Sequence, residues 1–256
     1  MIQVENLYKS FVHTEVLRDI SVLFEEKKTN LIIGQSGSGK TVLLKCIIGL
    51  LSIDQGKILY DDIVFNKLNF KKKKEIRKNI GMVFQGGALF DSETVEQNVK
   101  FPLDMFTDMT EEEKIQRVNE CLERVNIVNA NQLYPAEISG GMQKRVAIAR
   151  AVVLNPKYLF FDEPISGLDP KSAIRIDRLI RELTRDFETT TIINTHDMNS
   201  VMEIGDKVIF LYEGQKWWEG SRHDILDADN QELNDFVFAT NLAKTVRDLR
   251  RSGQST

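Results

Sequence analysis

Gly34-Gln35-Ser36-Gly37-Ser38-Gly39-Lys40-Thr41 constrains this chain more than any other stretch. Its letters fit G-x-x-x-x-G-K-[ST], and its flanks fit as well. Thr29-Asn30-Leu31-Ile32-Ile33 is a short apolar run that reads as a buried strand. Thr41 to Ile48 contains no Gly or Pro and reads as a helix. A glycine-rich loop between a strand end and a helix start lets backbone N–H groups close around phosphate oxygens. The helix N-terminus adds partial positive charge at the same place. In that arrangement Lys40 reaches the β- and γ-phosphates, and the Thr41 hydroxyl ligates Mg²⁺. A chance glycine-rich turn is the competing reading, and the strand and helix on either side weigh against it.

The rest of the chain alternates strands and helices. Ile2-Gln3-Val4-Glu5 and Val16 to Phe24 alternate in polarity like strands, with a turn or strand end at residues 8–13. Gly56 to Asp62 and Ile80 to Gln85 read as further strands. From Gly86 to about Asn155 the pattern becomes helical. Thr110 and Glu113 form a capping box ahead of Ile115, Val118, Cys121, Leu122 and Val125, and a second helix follows Ser139-Gly140-Gly141. Strand character returns in Lys157 to Asp162, Thr190 to His196 and Lys207 to Leu211, with helices at about 171–187 and 198–203 between them. Such alternation implies a mostly parallel sheet with both faces covered. Ligands of such sheets bind at the strand C-terminal ends, where Gly34, Gln85, Asp162 and His196 are expected to gather.

Gln215 to Gly220 reads as the second arm of a hairpin, with one of Trp217 and Trp218 inward and the other more exposed. Beyond Arg222 the chain changes character. Leu242, Val246 and Leu249 form a helical stripe that suits packing on its own domain or a contact with a second subunit, and residues 252–256 are expected to be disordered.

Asp162 and Glu163 end an apolar strand. A carboxylate there suits Mg²⁺, held through water, and the next one suits a water in line with the γ-phosphate. With these residues in place, the motifs resemble the ATP-binding cassette family over residues 1 to about 220, in the family's order. The resemblance implies a P-loop NTPase of α/β class. Its RecA-like core has a mostly parallel sheet, with an N-terminal antiparallel β part and an inserted α-helical subdomain. The core would comprise 1–85 and 156–221, the insert about 86–155, and a helical extension 222–256.

The same resemblance assigns roles. Phe11 stands where an aromatic stacks on adenine. Gln85 contacts Mg²⁺ and couples the site to the helical subdomain. Ile138-Ser139-Gly140-Gly141-Met142 is similar to the signature motif, with Met142 where Gln is usual. That signature caps ATP bound to the facing subunit, so two copies of the chain would close head-to-tail over two ATP molecules. Asp169 lies in the loop that touches the opposite subunit. Glu163 is the catalytic carboxylate and His196 the switch histidine on the γ-phosphate.

Phe84 to Ser92, Asn98 to Leu103 and Met142 resemble, more narrowly, the ATPase of Mla-type lipid transporters. That subgroup implies a transmembrane permease, an MCE-domain protein and a small regulatory subunit as partners.

Composition limits the alternatives. A net charge of -4 and a pI of about 5.6 argue against nucleic acid as a partner. The run Lys71 to Lys74 reads as a solvated face or loop. Cys46 and Cys121 form no spaced set, and Cys46 lies among apolar residues, so neither suggests an oxidising compartment. The N-terminus lacks a signal-peptide pattern and no stretch is long and apolar enough to span a bilayer. A cytoplasmic protein, peripheral on the inner membrane through its permease, is the expectation. The competing classes are a soluble cassette ATPase acting on ribosomes or DNA, and a regulatory module that binds nucleotide without hydrolysis. One cassette without a coiled-coil insertion disfavours the first, and intact Lys40, Asp162, Glu163 and His196 disfavour the second.

Overall fold

In the computed structural model, which describes residues 1–238, two sheets share the work of positioning the phosphate loop. Strands β1 (Ile2–Phe11), β2 (Thr14–Phe24), β4 (Gln55–Tyr60) and β5 (Ile63–Val64) form an antiparallel sheet in the order β2-β1-β4-β5. Strands β3 (Thr29–Ile33), β6 (Ile80–Val83), β7 (Tyr158–Asp162), β8 (Thr190–Thr195), β9 (Lys207–Tyr212) and β10 (Gln215–Gly220) form the second. Its order is β10-β9-β3-β8-β7-β6, parallel throughout except for β10 at the edge. β3, β7 and β8 are buried along their whole length, as expected of parallel strands covered on both faces.

β1 continues further than the sequence suggests. Residues 8–11 belong to the strand, pairing Phe11 with Thr14, and the turn is confined to Val12 and His13. Trp217 is exposed, while Trp218 packs partly buried against the core, which is the alternation expected of a strand.

Eight α-helices are described: α1 (Lys40–Ile47), α2 (Phe70–Arg77), α3 (Val95–Phe106), α4 (Glu111–Arg124), α5 (Gly140–Val152), α6 (Pro170–Asp186), α7 (Met198–Ile204) and α8 (Gln231–Val237). The box at α4 forms as read: Thr110 N donates to Glu113 Oε2 at 2.8 Å and Glu113 N to Thr110 Oγ1 at 3.3 Å. α2 makes the lysine run a solvated helix face rather than a loop, the first of the two readings, with no buried residue. α3 is an addition to the sequence reading. Pro102 lies inside it, and Asn98, wholly buried, ties the approach loop to it. Its Nδ2 donates to the carbonyls of Phe90, Glu93 and Thr94, and its Oδ1 accepts from Phe90 N at 2.8 Å. α3, α4 and α5 pack on one another through Val99, Leu103, Val118, Leu122, Val146 and Ala149.

The stretch after Arg222 belongs to the same core as the parallel sheet. Ile225 and Leu233 are fully buried in it, and the Phe236 ring packs tilted against Phe210 with 5.6 Å between centroids. The stripe Leu242, Val246 and Leu249 and the expected disorder at 252–256 lie outside the described residues. Among the described residues no helix is long and apolar enough to cross a membrane.

Candidate functional site

The phosphate loop turns on glycines that no other residue replaces. Gly34 has φ +151°, and a Cβ there would stand 2.2 Å from the Leu211 carbonyl oxygen of the neighbouring strand. At Gly39, φ +101°, a Cβ would stand 2.7 Å from Leu17 Cδ2, so β2 closes the loop from the other side. α1 starts directly after it, at Lys40.

Lys40 is buried, and its Nζ donates to the carbonyls of Gly34 at 2.8 Å and Gln35 at 3.0 Å. Burial holds its ammonium below the usual lysine range, and the carboxylates of Glu163 and Asp162 work against that shift. Thr41 Oγ1 donates to Asp162 Oδ1 at 3.0 Å, joining the helix start to the end of β7. Asn194 Nδ2 donates to the same Asp162 oxygen at 3.0 Å.

Glu163 sits one residue past the strand with φ +50°, a left-handed conformation unusual for a glutamate. Its N–H donates to Asn194 O at 3.0 Å, and its Oε2 lies 2.8 Å from His196 Nδ1. Such strain, held by the surrounding structure, is typical of functional positions. Gln85 Nε2 reaches Ser166 Oγ at 3.5 Å. α5 grips the segment around Gln85 by its backbone: Lys144 Nζ donates to Gln85 O, and Arg150 donates to Gly87 O at 2.7 Å and Ala88 O at 2.8 Å.

Gln35, Ser36, Gly37, Gly39, Lys40, Thr41, Gln85, Glu163 and His196 line one cavity of about 800 Å³ at the C-terminal ends of the strands, as expected. Asp162 lies against it through Thr41, while Gly34 and Ser38 form the inner side of the loop. Val16 from β2 and Asp235 and Phe236 from α8 line it too, which the sequence reading did not include. Phe11 stands apart at the end of β1, half-exposed, with Lys9 Nζ 5.1 Å from its ring centroid.

The residues resembling the signature lie elsewhere. Ser139, Gly140, Gly141, Gly167, Leu168 and Asp169 line a second cavity of about 720 Å³, together with Arg145 and Arg175. Ser139 caps α5, accepting from Met142 N at 3.3 Å, and Met142 packs against the core. Asp169 caps α6 through Ser172 N at 3.0 Å. Hydrogen bonds from Ser172 hold its carboxyl below the usual carboxylate range.

Asn194, Lys144 and Arg150 are positioning groups that the sequence reading missed. Their roles depend on which strand neighbours β7 and which helix faces Gln85, and neither is written in local pattern.

A phosphate loop on a parallel sheet, with an acidic strand end and a facing histidine, defines a P-loop nucleotide hydrolase. The family model of the ABC transporter matches residues 17–166, and the chain belongs to that family. It is 37% identical over 253 residues to a methionine import ATP-binding protein MetN of Campylobacter jejuni, covering 93% of this chain and 75% of that protein. It is 35% identical over 237 residues to the intermembrane phospholipid transport ATP-binding protein MlaF of Haemophilus influenzae, covering 93% and 90%. The ATP-binding cassette MJ0796, solved as a dimer in a post-hydrolysis state with ADP and Pi, superposes with a TM-score of 0.80 at 31% identity, covering 87% of this chain and 99% of that one. The chain is an ABC transporter ATPase, and its substrate is ATP.

Proposed function

We propose that this chain is the ATP-hydrolysing motor that drives phospholipid, or a similar lipid, between membranes. It works as a head-to-tail dimer, bound to a transmembrane permease and an MCE-domain protein, with a small regulatory subunit as a further partner. Its place is the cytoplasmic face of the inner membrane.

One observation carries the dimer. A complete phosphate loop and a signature-like helix start occupy two separate cavities of one chain, so neither can close over the other's ligand within that chain. Ser139 at the start of α5 offers backbone N–H groups and dipole charge to an anion. A second copy, turned end for end, supplies that anion as the γ-phosphate of its own ATP.

Thr41 hydroxyl, Asp162 carboxylate and Gln85 amide are hard oxygen donors gathered beside the phosphate loop, a set that fits Mg²⁺. Bound there, the ion would offset the negative charge of the phosphates. Lys40 turns from the loop carbonyls to the phosphates, and Asn194 fixes the Asp162 carboxylate toward Thr41. Glu163 takes a proton from the attacking water, and His196 donates to the γ-phosphate. Loss of that phosphate removes the bridge between copies, so binding and hydrolysis become closing and opening. Residues 86–155 then act as the helical subdomain, with Lys144 and Arg150 carrying the position of α5 to Gln85.

The lipid cargo is supported by the segment from Gln85 to Leu103 and by 35% identity to MlaF over 90% of that protein. The segment presents an apolar face: Phe90 and Phe101 are 41% and 42% exposed and meet edge to face at 4.9 Å, a suitable seat for a short permease helix. A second reading, an importer of a polar solute, is favoured by 37% identity to MetN. Isolation of the native complex separates them. A permease and an MCE-domain protein with bound phospholipid supports the lipid motor, whereas a solute-binding protein and a polar substrate supports the importer.

A further inference from the structure

Helix α2 is the strongly charged feature that the nucleotide site leaves unused. It reads Phe-Lys-Lys-Lys-Lys-Glu-Ile-Arg, with Lys78 next. None of its residues is buried, and Phe70 at its start is 77% exposed, more than any other aromatic among the described residues.

Lys71, Lys72 and Lys74 are exposed, and none has a carboxylate partner among the described residues. Lys73 turns back over the Phe65 ring, 5.8 Å from its centroid. Glu75, the helix's one acid, is taken by Lys78 at 3.2 Å.

Local stability does not explain this composition. The first turn of a helix disfavours cations, and lysines three and four apart repel one another. This helix has no acid in its first turn. Lys73 and Lys74 each lie over an aromatic ring, but the Lys71 and Lys72 side chains have no carboxylate partner among the described residues, and a local rule broken in that way points to a partner outside the fold. The chain as a whole carries a net charge of -4, so the patch is not part of a generally basic surface.

The patch also has a direction. Lys74 Nζ lies 5.7 Å from the Phe106 ring centroid, and Arg77 donates to Gly49 O at 2.6 Å, next to Leu50, which is exposed. α2 therefore borders the exposed side chains Met105 and Phe106 at the end of α3, on the side assigned above to the permease.

We propose that α2 docks on an anionic phospholipid surface, with Lys71, Lys72 and Lys74 against headgroup phosphates and Phe70 inserted at the headgroup level. Clustered lysines are attracted to anionic leaflets, and an aromatic ring is at home in the interface. Charge and exposure carry this on their own, and the orientation toward the bilayer rests on the permease reading.

The test is co-flotation of the purified full chain with vesicles, which needs no permease. The protein should float with equimolar phosphatidylcholine and phosphatidylglycerol, stay behind with phosphatidylcholine alone, and be released by salt. Lys71→Gln with Lys72→Gln should weaken anionic-vesicle binding about twenty-five-fold, about fivefold for each lysine. Phe70→Ser should weaken it further, and ATPase activity in solution should stay unchanged in both variants. Equal binding to both vesicle types, binding to neither, or full binding by the double lysine variant overturns the proposal. A chain that floats yet captures no permease overturns the permease reading alone. A chain that captures its permease yet does not float overturns only the lipid contact.

Discussion

Nδ1 of His196 lies 2.8 Å from Oε2 of Glu163. The side chains assigned to activate water and to hold the γ-phosphate thus hold each other, across the ends of two adjacent parallel strands. Glu163 is the more enclosed of the two, and its left-handed backbone fixes where its carboxylate can point. On the proposed roles, hydrolysis would require each to give up the other: Glu163 for a water, His196 for phosphate. Glu163→Gln should keep ATP affinity and lower turnover by about a hundredfold or more, the usual loss of a general base. A variant with normal turnover would remove Glu163 from that role. Equilibrium ATP binding measured beside steady-state hydrolysis separates the two effects, and Lys40→Ala should fail at the binding step instead.

Asn194 works through another residue. Its Nδ2 orients Asp162, while its Oδ1 is buried with no hydrogen-bond partner among the described residues. Asn194→Leu removes the donor at similar volume. The Mg²⁺ concentration for half-maximal hydrolysis should rise about tenfold, in the range seen when a metal ligand loses its supporting hydrogen bond. A Mg²⁺ titration in which only the maximal rate drops would show that Asn194 merely supports the fold.

Much of this site was legible because it is local. The loop from Gly34 to Thr41 carries its geometry in its own glycines, and Thr110 with Glu113 announces α4. α3 was legible in principle. Thr94 and Gln97 form a second capping box, but Pro102 and the aromatic residues around it broke the helical pattern. Asn98, Lys144 and Asn194 read as ordinary polar residues. Each acts on a segment brought to it by the tertiary fold, and a single sequence does not record which segments meet. The stretch after Arg222 looked separate because its charge hides two buried anchors, Ile225 and Leu233.

Asp177 supplies a pH dependence. It lies buried between α6 and α7, with Ser200 Oγ donating to its Oδ2 at 2.7 Å and its Oδ1 unpartnered among the described residues. Burial pushes its carboxyl up to about 6. The Ser200 hydrogen bond opposes the rise, and Asp197 and Glu203 add to it. The unfolded value is about 3.9, so the folded chain binds the extra proton between the two. The stabilisation is full below about pH 4 and is lost as pH rises through about 6, roughly 3 kcal/mol in all. Asp177→Asn stays neutral, so its stability relative to the wild type should improve between about pH 5 and about pH 8. Denaturant unfolding at both values checks this, and a constant difference would contradict it.

Phe90 tests the permease face. Because it is half-exposed, Phe90→Glu should leave the chain folded: it loses its pairing with Phe101, about 0.5–1.5 kcal/mol, together with the apolar area that Phe90 half-buries. Leu103→Ala on α3, being buried, should cost about 2–5 kcal/mol. In the assembled transporter Phe90→Glu should separate ATP hydrolysis from transport. Transport at the wild-type ratio of cargo to ATP would contradict that role.

The central claim, an ATP site shared between two chains, is tested by ATP retention in a mixed dimer. Both chains carry Glu163→Gln to prevent hydrolysis. One also carries Lys40→Ala and the other Ser139→Phe. If loop and signature pair across chains, both lesions fall in one site and the other is intact, so the mixed dimer retains one ATP while either variant alone retains none. If they pair within a chain, each chain spoils its own site, and a mixed dimer that retains no ATP would contradict the account.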